Sequence, residues 1–212
     1  MVAQWTVGIL IFQGVEVLDF AGPFEVFSRT RLVPGIESRR TEQGAPFLVF
    51  TVAKTSEVVR ATGGLLILPT HTFIDHPPID LLLVPGGFGT RSLLKDDVTL
   101  HWLERTASTA RKVASVCTGS LLLARLGLLR GRRATTHWGA IEELRSLDAS
   151  VEISTDSRVV DDCVVTSGGV ASGLELAFYI VQTIYGSAVA ADTARFIEYE
   201  RSPRLDSHNA LE

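Results

Sequence analysis

The stretch Lys112-Val113-Ala114-Ser115-Val116-Cys117-Thr118-Gly119-Ser120-Leu121-Leu122-Leu123-Ala124 decides the fold. Its first five residues read as a short strand through Val113, Ala114 and Val116, Gly119 marks a break, and the leucines that follow continue to Leu128-Leu129 before Gly131. This pattern reads as a strand, a sharp turn and a helix, with Cys117 at the bend. Val7-Gly8-Ile9-Leu10-Ile11-Phe12, ending at Gln13-Gly14, and Leu81-Leu82-Leu83-Val84, followed by Pro85-Gly86-Gly87, are further continuous apolar runs, as expected of parallel strands buried on both faces. Phe47 to Ala53 reads as another strand, and Arg31 to Pro46 as a polar connection.

Helices are expected between these strands. Gly22-Pro23 opens one, with Phe24, Phe27 and Leu32 at roughly helical spacing and proline suited to a first turn. Residues 98–110 form an amphipathic helix, and Leu174, Ala177, Phe178 and Val181 fall on one face of another. Residues 188–199 read as a last helical segment. Short strands are expected at 151–153, 158–160 and 164–166, the last two joined at Asp161-Asp162 in a hairpin-like turn. The alternation predicts an α/β fold: a mostly parallel central sheet with helices on both faces, a flavodoxin-like three-layer sandwich whose sites lie at the carboxyl ends of strands. One domain over residues 1–200 is expected, with 201–212 a tail in which Leu211-Glu212 resembles a cloning scar.

Composition excludes several classes. The chain has 212 residues, 46% of them hydrophobic, with 20 Lys+Arg against 24 Asp+Glu, enough apolar surface for one ordinary core. No basic run exceeds two residues, so a nucleic acid partner is not expected. No apolar window reaches the roughly 20 residues of a membrane span, and the N-terminus lacks the pattern of a signal peptide. Two cysteines make no disulfide framework, and a cytoplasmic protein is expected.

Cys117 is the sharpest chemical feature. At the first turn of a helix, unpaired N–H groups and the helix dipole favour a thiolate; the alternative is a small buried hydrophobe. Gly86, Gly87 and the Thr118 N–H could form an oxyanion site beside it, although Pro85-Gly86-Gly87 also suits a plain tight turn. Asp19, embedded in Val17-Leu18-Asp19-Phe20, reads equally as a general acid raised by burial and as a helix N-cap. Glu16 is a solvated reserve candidate. His137 offers a Cys-His pairing or a structural histidine beside Trp138. His71, Asp75 and His76 read as a solvated loop rather than metal ligands, and Cys163 reads as core.

The segments Ser115 to Ser120 and Gly131 to Trp138 resemble the ThiJ/PfpI superfamily of class I glutamine-amidotransferase-like proteins, and within it the bacterial isocyanide hydratases. Leu18-Asp19-Phe20-Ala21-Gly22-Pro23, Val84-Pro85-Gly86-Gly87 and Thr166 to Gly173 extend the resemblance over nearly the whole chain. It implies a cysteine nucleophile at Cys117 with Asp19 beside it, a pocket in which Val170 and Phe20 take part, a homodimer and no cofactor or metal. Thr118 replaces the histidine that follows the cysteine in protease-like relatives. The implied reaction is hydration of an isocyanide to a formamide through a covalent thioimidate. Related readings are a small-molecule sensor domain like those of AraC-type regulators, glyoxalase or deglycase chemistry, and thiol stress sensing. The chain ends at Glu212, which is expected to leave no room for a DNA-binding module.

Overall fold

The computed structural model describes residues 4–201; the tail expected at 201–212 lies, beyond its first residue, outside them. The strands are β1 (Trp5–Leu10), β2 (Phe47–Ala53), β3 (Val59–Arg60), β4 (Leu66–Ile67), β5 (His71–Thr72), β6 (Leu81–Val84), β7 (Lys112–Val116), β8 (Arg133–Ala134), β9 (Glu152–Ile153), β10 (Val159–Asp162) and β11 (Val164–Ser167). The helices are α1 (Val17–Arg29), α2 (Thr90–Leu93), α3 (Asp97–Thr109), α4 (Gly119–Arg125), α5 (Ile141–Leu147), α6 (Ser172–Tyr185) and α7 (Ser187–Phe196).

Seven strands form the main sheet in the order β10-β11-β7-β6-β1-β2-β5, and β10 alone runs antiparallel to its neighbour. The central strands read as continuous apolar runs because both faces are covered: Leu81, Leu82, Leu83 and Val84 are all fully buried. Helices α1, α6 and α7 pack together, while α2, α4 and α5 form a second group centred on α4. This is the expected α/β sandwich. β1, β6, β7 and β11 deliver their carboxyl ends to one edge, followed by Gln13–Glu16, Pro85–Gly87, Cys117-Thr118 and Gly168–Val170. Among the described residues, no helix is long and apolar enough to cross a membrane.

Several local expectations are corrected. Helix α1 begins at Val17 rather than Gly22, so Pro23 lies inside it and Asp19 occupies its first turn. Proline lacks the N–H that would bond the carbonyl four residues back, yet burial of Phe20, Val26 and Phe27 holds the helix together. Leu32 falls beyond its end and is exposed. The polar 31–46 connection is organised by buried Arg31, which donates to the carbonyls of Ser28, Thr30, Ser38 and Thr41. The region around His71 is not a plain solvated loop: His71-Thr72 pairs with β2 as an edge strand, and the Trp102 indole N–H donates to His76 Nε2 at 3.0 Å. Cys163 is exposed at the β10–β11 turn rather than in the core, with a left-handed φ of 61°.

Candidate active site

Cys117 stands between β7 and α4 with φ at 57°, a conformation that non-glycine residues seldom adopt. Its surroundings over-determine it. The Cys117 N–H donates to the carbonyls of Ser167 and Gly168, both at 3.1 Å. Its own carbonyl accepts the hydroxyls of Ser120 and Thr136, again at 3.1 Å each. Gly119 follows because a Cβ there would lie 2.0 Å from the Val84 carbonyl oxygen. Cys117 as a residue is 6% exposed and forms part of a cavity wall.

Asp19 comes up beneath it from α1 and is fully buried. Glu16, not Asp19, is the helix N-cap, which leaves the Asp19 carboxyl to the site. Its Oδ2 accepts the Gly86 N–H at 2.9 Å, its Oδ1 is buried without a hydrogen-bond partner, and the carboxyl is electrostatically coupled to the Cys117 thiol. Burial pushes the Asp19 carboxyl up to about 7, against the lowering effect of the Gly86 amide. Burial also pushes the Cys117 thiol up to about 12, and the negative charge of Asp19 adds to this. The thiol is thus held above its ordinary value despite its place before a helix, with burial and the Asp19 charge exceeding the lowering effect of the Thr118 and Val170 amides. The pair therefore carries two protons below about 7 and a single one above it, until the thiol itself titrates.

The amides divide differently from the sequence expectation. The Gly86 N–H is engaged by Asp19 and the Gly87 N–H by Thr118 Oγ1 at 3.0 Å. The amides of Thr118 and Val170 are the ones that face the sulfur. Gly86 instead serves close approach, since a Cβ would meet the Thr118 nitrogen at 2.5 Å and Asp19 Oδ2 at 2.9 Å. Val170 has φ at 48°, a strained conformation for a β-branched residue, and this aims its N–H at the thiol–carboxyl pair. Phe20 does not belong to the cavity wall; it is packed in the core on α1.

His137 lines the cavity but bonds elsewhere. Its Nδ1 accepts the Gly139 N–H at 3.1 Å, its ring packs on Gly169, and the thiol's side-chain partner is Asp19. The cavity measures about 220 Å³ and gains its remaining walls from Glu16, Phe88, Arg91, Gly139 and Ala140. Phe88 and Arg91 follow the Gly86-Gly87 turn, and Ala140 follows His137. No chemical signature marked them, because they are wall residues only through the convergence of separate strand ends.

The fold and site define an α/β protein with a buried thiol–carboxyl pair at a strand-to-helix elbow. The chain belongs to the DJ-1/PfpI family, whose model matches residues 6–183. It is 37% identical to the isonitrile hydratase of Pseudomonas putida over 95% of this chain and 81% of that protein. It is 26% identical to the HTH-type transcriptional regulator GbdR of Pseudomonas aeruginosa, over 97% of this chain but 54% of the regulator. Among solved structures, a THiJ/PfpI family protein from Pseudomonas syringae superposes with a TM-score of 0.81 at 30% identity, covering 99% of this chain and 80% of that one.

Proposed function

We propose that the chain hydrates a small organic isocyanide to the corresponding N-substituted formamide, with Cys117 as nucleophile and Asp19 as proton carrier. The observation that carries this reading is the buried Asp19 carboxyl set beside the Cys117 thiol at the wall of a small cavity. The likeness to the isonitrile hydratase supports it.

Transfer of the shared proton from sulfur to Asp19 generates a thiolate next to a carboxylic acid. The thiolate attacks the terminal carbon of R–N≡C, forming the S–C bond, while Asp19 returns the proton to that carbon. The product is a thioimidate, R–N=CH–S–Cys117. Water then adds to the same carbon, with Asp19 accepting its proton and passing it to nitrogen. The tetrahedral species expels the sulfur as its C=O forms, and the hydroxyl proton returns through Asp19 to the sulfur–carboxyl pair. The net change is addition of one water and release of R–NH–CHO. Amides of Thr118 and Val170 stabilise negative charge on sulfur in the first and last steps. Phe88, Ala140 and Val170 suit an uncharged apolar substrate.

The working form is taken as a cytoplasmic homodimer without a cofactor or metal; equilibrium sedimentation showing a 23.0 kDa species alone would exclude the dimer. The test of the activity is formamide production from cyclohexyl isocyanide, with the Cys117→Ala variant beside the unsubstituted chain. Cysteine-dependent formamide is expected. Production equal to that of the variant overturns the reading and moves the weight to a ligand-sensing or aldehyde-directed role.

A further inference from the structure

An ion pair stands at the rim of the cavity. Arg91 lines it from α2 and meets Glu143 of α5 through two contacts, Nη2 to Oε2 at 2.6 Å and Nε to Oε1 at 3.1 Å. The Nη1 of the same guanidinium reaches Thr90 Oγ1 at 3.3 Å and the Gly87 carbonyl at 3.4 Å. Helix α2 follows the Gly86-Gly87 turn, α5 follows the His137 to Ala140 segment, and both helices pack on α4. The pair thus ties together the two segments that wall the cavity on either side of the thiol. Among the described residues, it is the ion pair that includes a cavity-lining side chain.

Its geometry matters more than its energy. The side chains are 39% and 34% exposed, so solvent screens the attraction and the contribution to global stability is small. A two-point guanidinium–carboxylate contact nevertheless fixes both separation and orientation, which a lysine ammonium does not. Arg91 is also the one cation of the described cavity wall, and Glu143 neutralises it. A negatively charged substrate finds no spare counter-ion there, and Glu16 on the same wall repels it further.

We propose that the Arg91–Glu143 pair is a clasp that sets the width of the cavity mouth and restricts the substrate to isocyanides carrying a compact, uncharged R group. The substrate's chemical name rests on the hydratase reading, whereas the clasp governs any reagent approaching Cys117. Arg91 and Glu143 are positioning residues: they act on access and leave the sulfur chemistry to Asp19.

The first test needs no turnover. In a Cys163→Ser background, which removes the exposed thiol, Cys117 is alkylated with iodoacetamide and with the bulkier iodoacetanilide. The ratio of the bulky to the small rate constant is expected to rise about tenfold in Glu143→Gln and in Arg91→Lys, the scale on which a small change in room discriminates ligands in a tight pocket. The charge-reversed double variant, Arg91→Glu with Glu143→Arg, restores the low ratio. Circular dichroism establishes that each variant is folded. Should one fail to fold, salt decides: raising it to about 1 M, where the screening length is about 3 Å, raises the ratio in the Cys163→Ser protein. A ratio unmoved in the folded single variants, or unmoved by salt where those variants do not fold, overturns the clasp. Formamide assays with small and bulky isocyanides run in parallel, and KM for the bulky substrate is expected to fall more than kcat changes. If the unsubstituted chain makes no formamide, the hydratase reading falls and the alkylation ratio still judges the clasp.

Discussion

Replacing Asp19 by asparagine removes a carboxyl whose ionisation the fold resists. The folded group loses its proton at about 7 instead of its ordinary 3.8, because burial disfavours the charge. The sign follows from proton binding. Below pH 3.8 both folded and unfolded chains hold the proton and the group contributes nothing to the pH dependence. Between 3.8 and 7 the folded state holds more protons than the unfolded one, so stability declines as pH rises, and above 7 the whole cost is present. At about 1.4 kcal/mol per pH decade, the interval between 3.8 and about 7 gives a cost of order 4 kcal/mol. The asparagine carboxamide does not titrate, and its carbonyl still accepts the Gly86 N–H. Urea unfolding of both proteins from pH 4 to pH 8 is therefore expected to show a stability difference that shifts in favour of the variant by several kcal/mol. Taking the difference cancels Glu42, Asp75 and Asp96, whose carboxyls are held below their ordinary range. A difference that stays flat over this interval refutes the account of Asp19 as a buried acid raised by desolvation.

Formamide turnover by the unsubstituted chain is expected to rise with pH through about 7 as the Asp19–Cys117 pair loses its first proton; a pH–rate profile flat from 5 to 9 would sink the shared-proton mechanism. Asp19→Asn, by removing the proton carrier, is expected to lower kcat by about 10²- to 10⁴-fold, measured against the same substrate at saturation. His137→Ala is expected to cost less than about tenfold, since loss of a true general base costs 10² or more; a larger loss in a folded variant would restore the Cys-His pairing. Gly86→Ala drives a Cβ into Thr118 and Asp19, and is expected to lower stability by about 1–3 kcal/mol and to remove activity, read by thermal melting beside the turnover assay.

The sheet was legible in the sequence because its strands are buried on both faces: Leu81 to Val84 carry an uninterrupted apolar signal that ends where the chain turns, and Val113, Ala114 and Val116 carry a mostly apolar one. The start of α1 was not, because Pro23 mimics a first-turn proline although tertiary packing carries the helix through it. Cys117 and Asp19 stood out by residue type and local setting. The direction of the thiol's shift did not, since a helix N-terminus is visible in sequence while desolvation and a carboxyl about a hundred residues away in the chain are not. The resemblance implied a pocket role for Phe20, but successive helical residues point in different directions and Phe20 faces the core. Arg91 and Glu143 lie 52 residues apart, and only the packing of α2 and α5 on α4 makes them partners.

The hydrogen bonds that hold the Cys117 peptide all terminate on its backbone: two carbonyls take its N–H and two hydroxyls hold its carbonyl. The elbow is accordingly a socket whose shape is independent of the side chain set into it. Shape and reactivity can therefore diverge separately over evolutionary time. A lineage that loses the sulfur keeps a formed, ligand-sized hollow, and one that regains it has no elbow to rebuild.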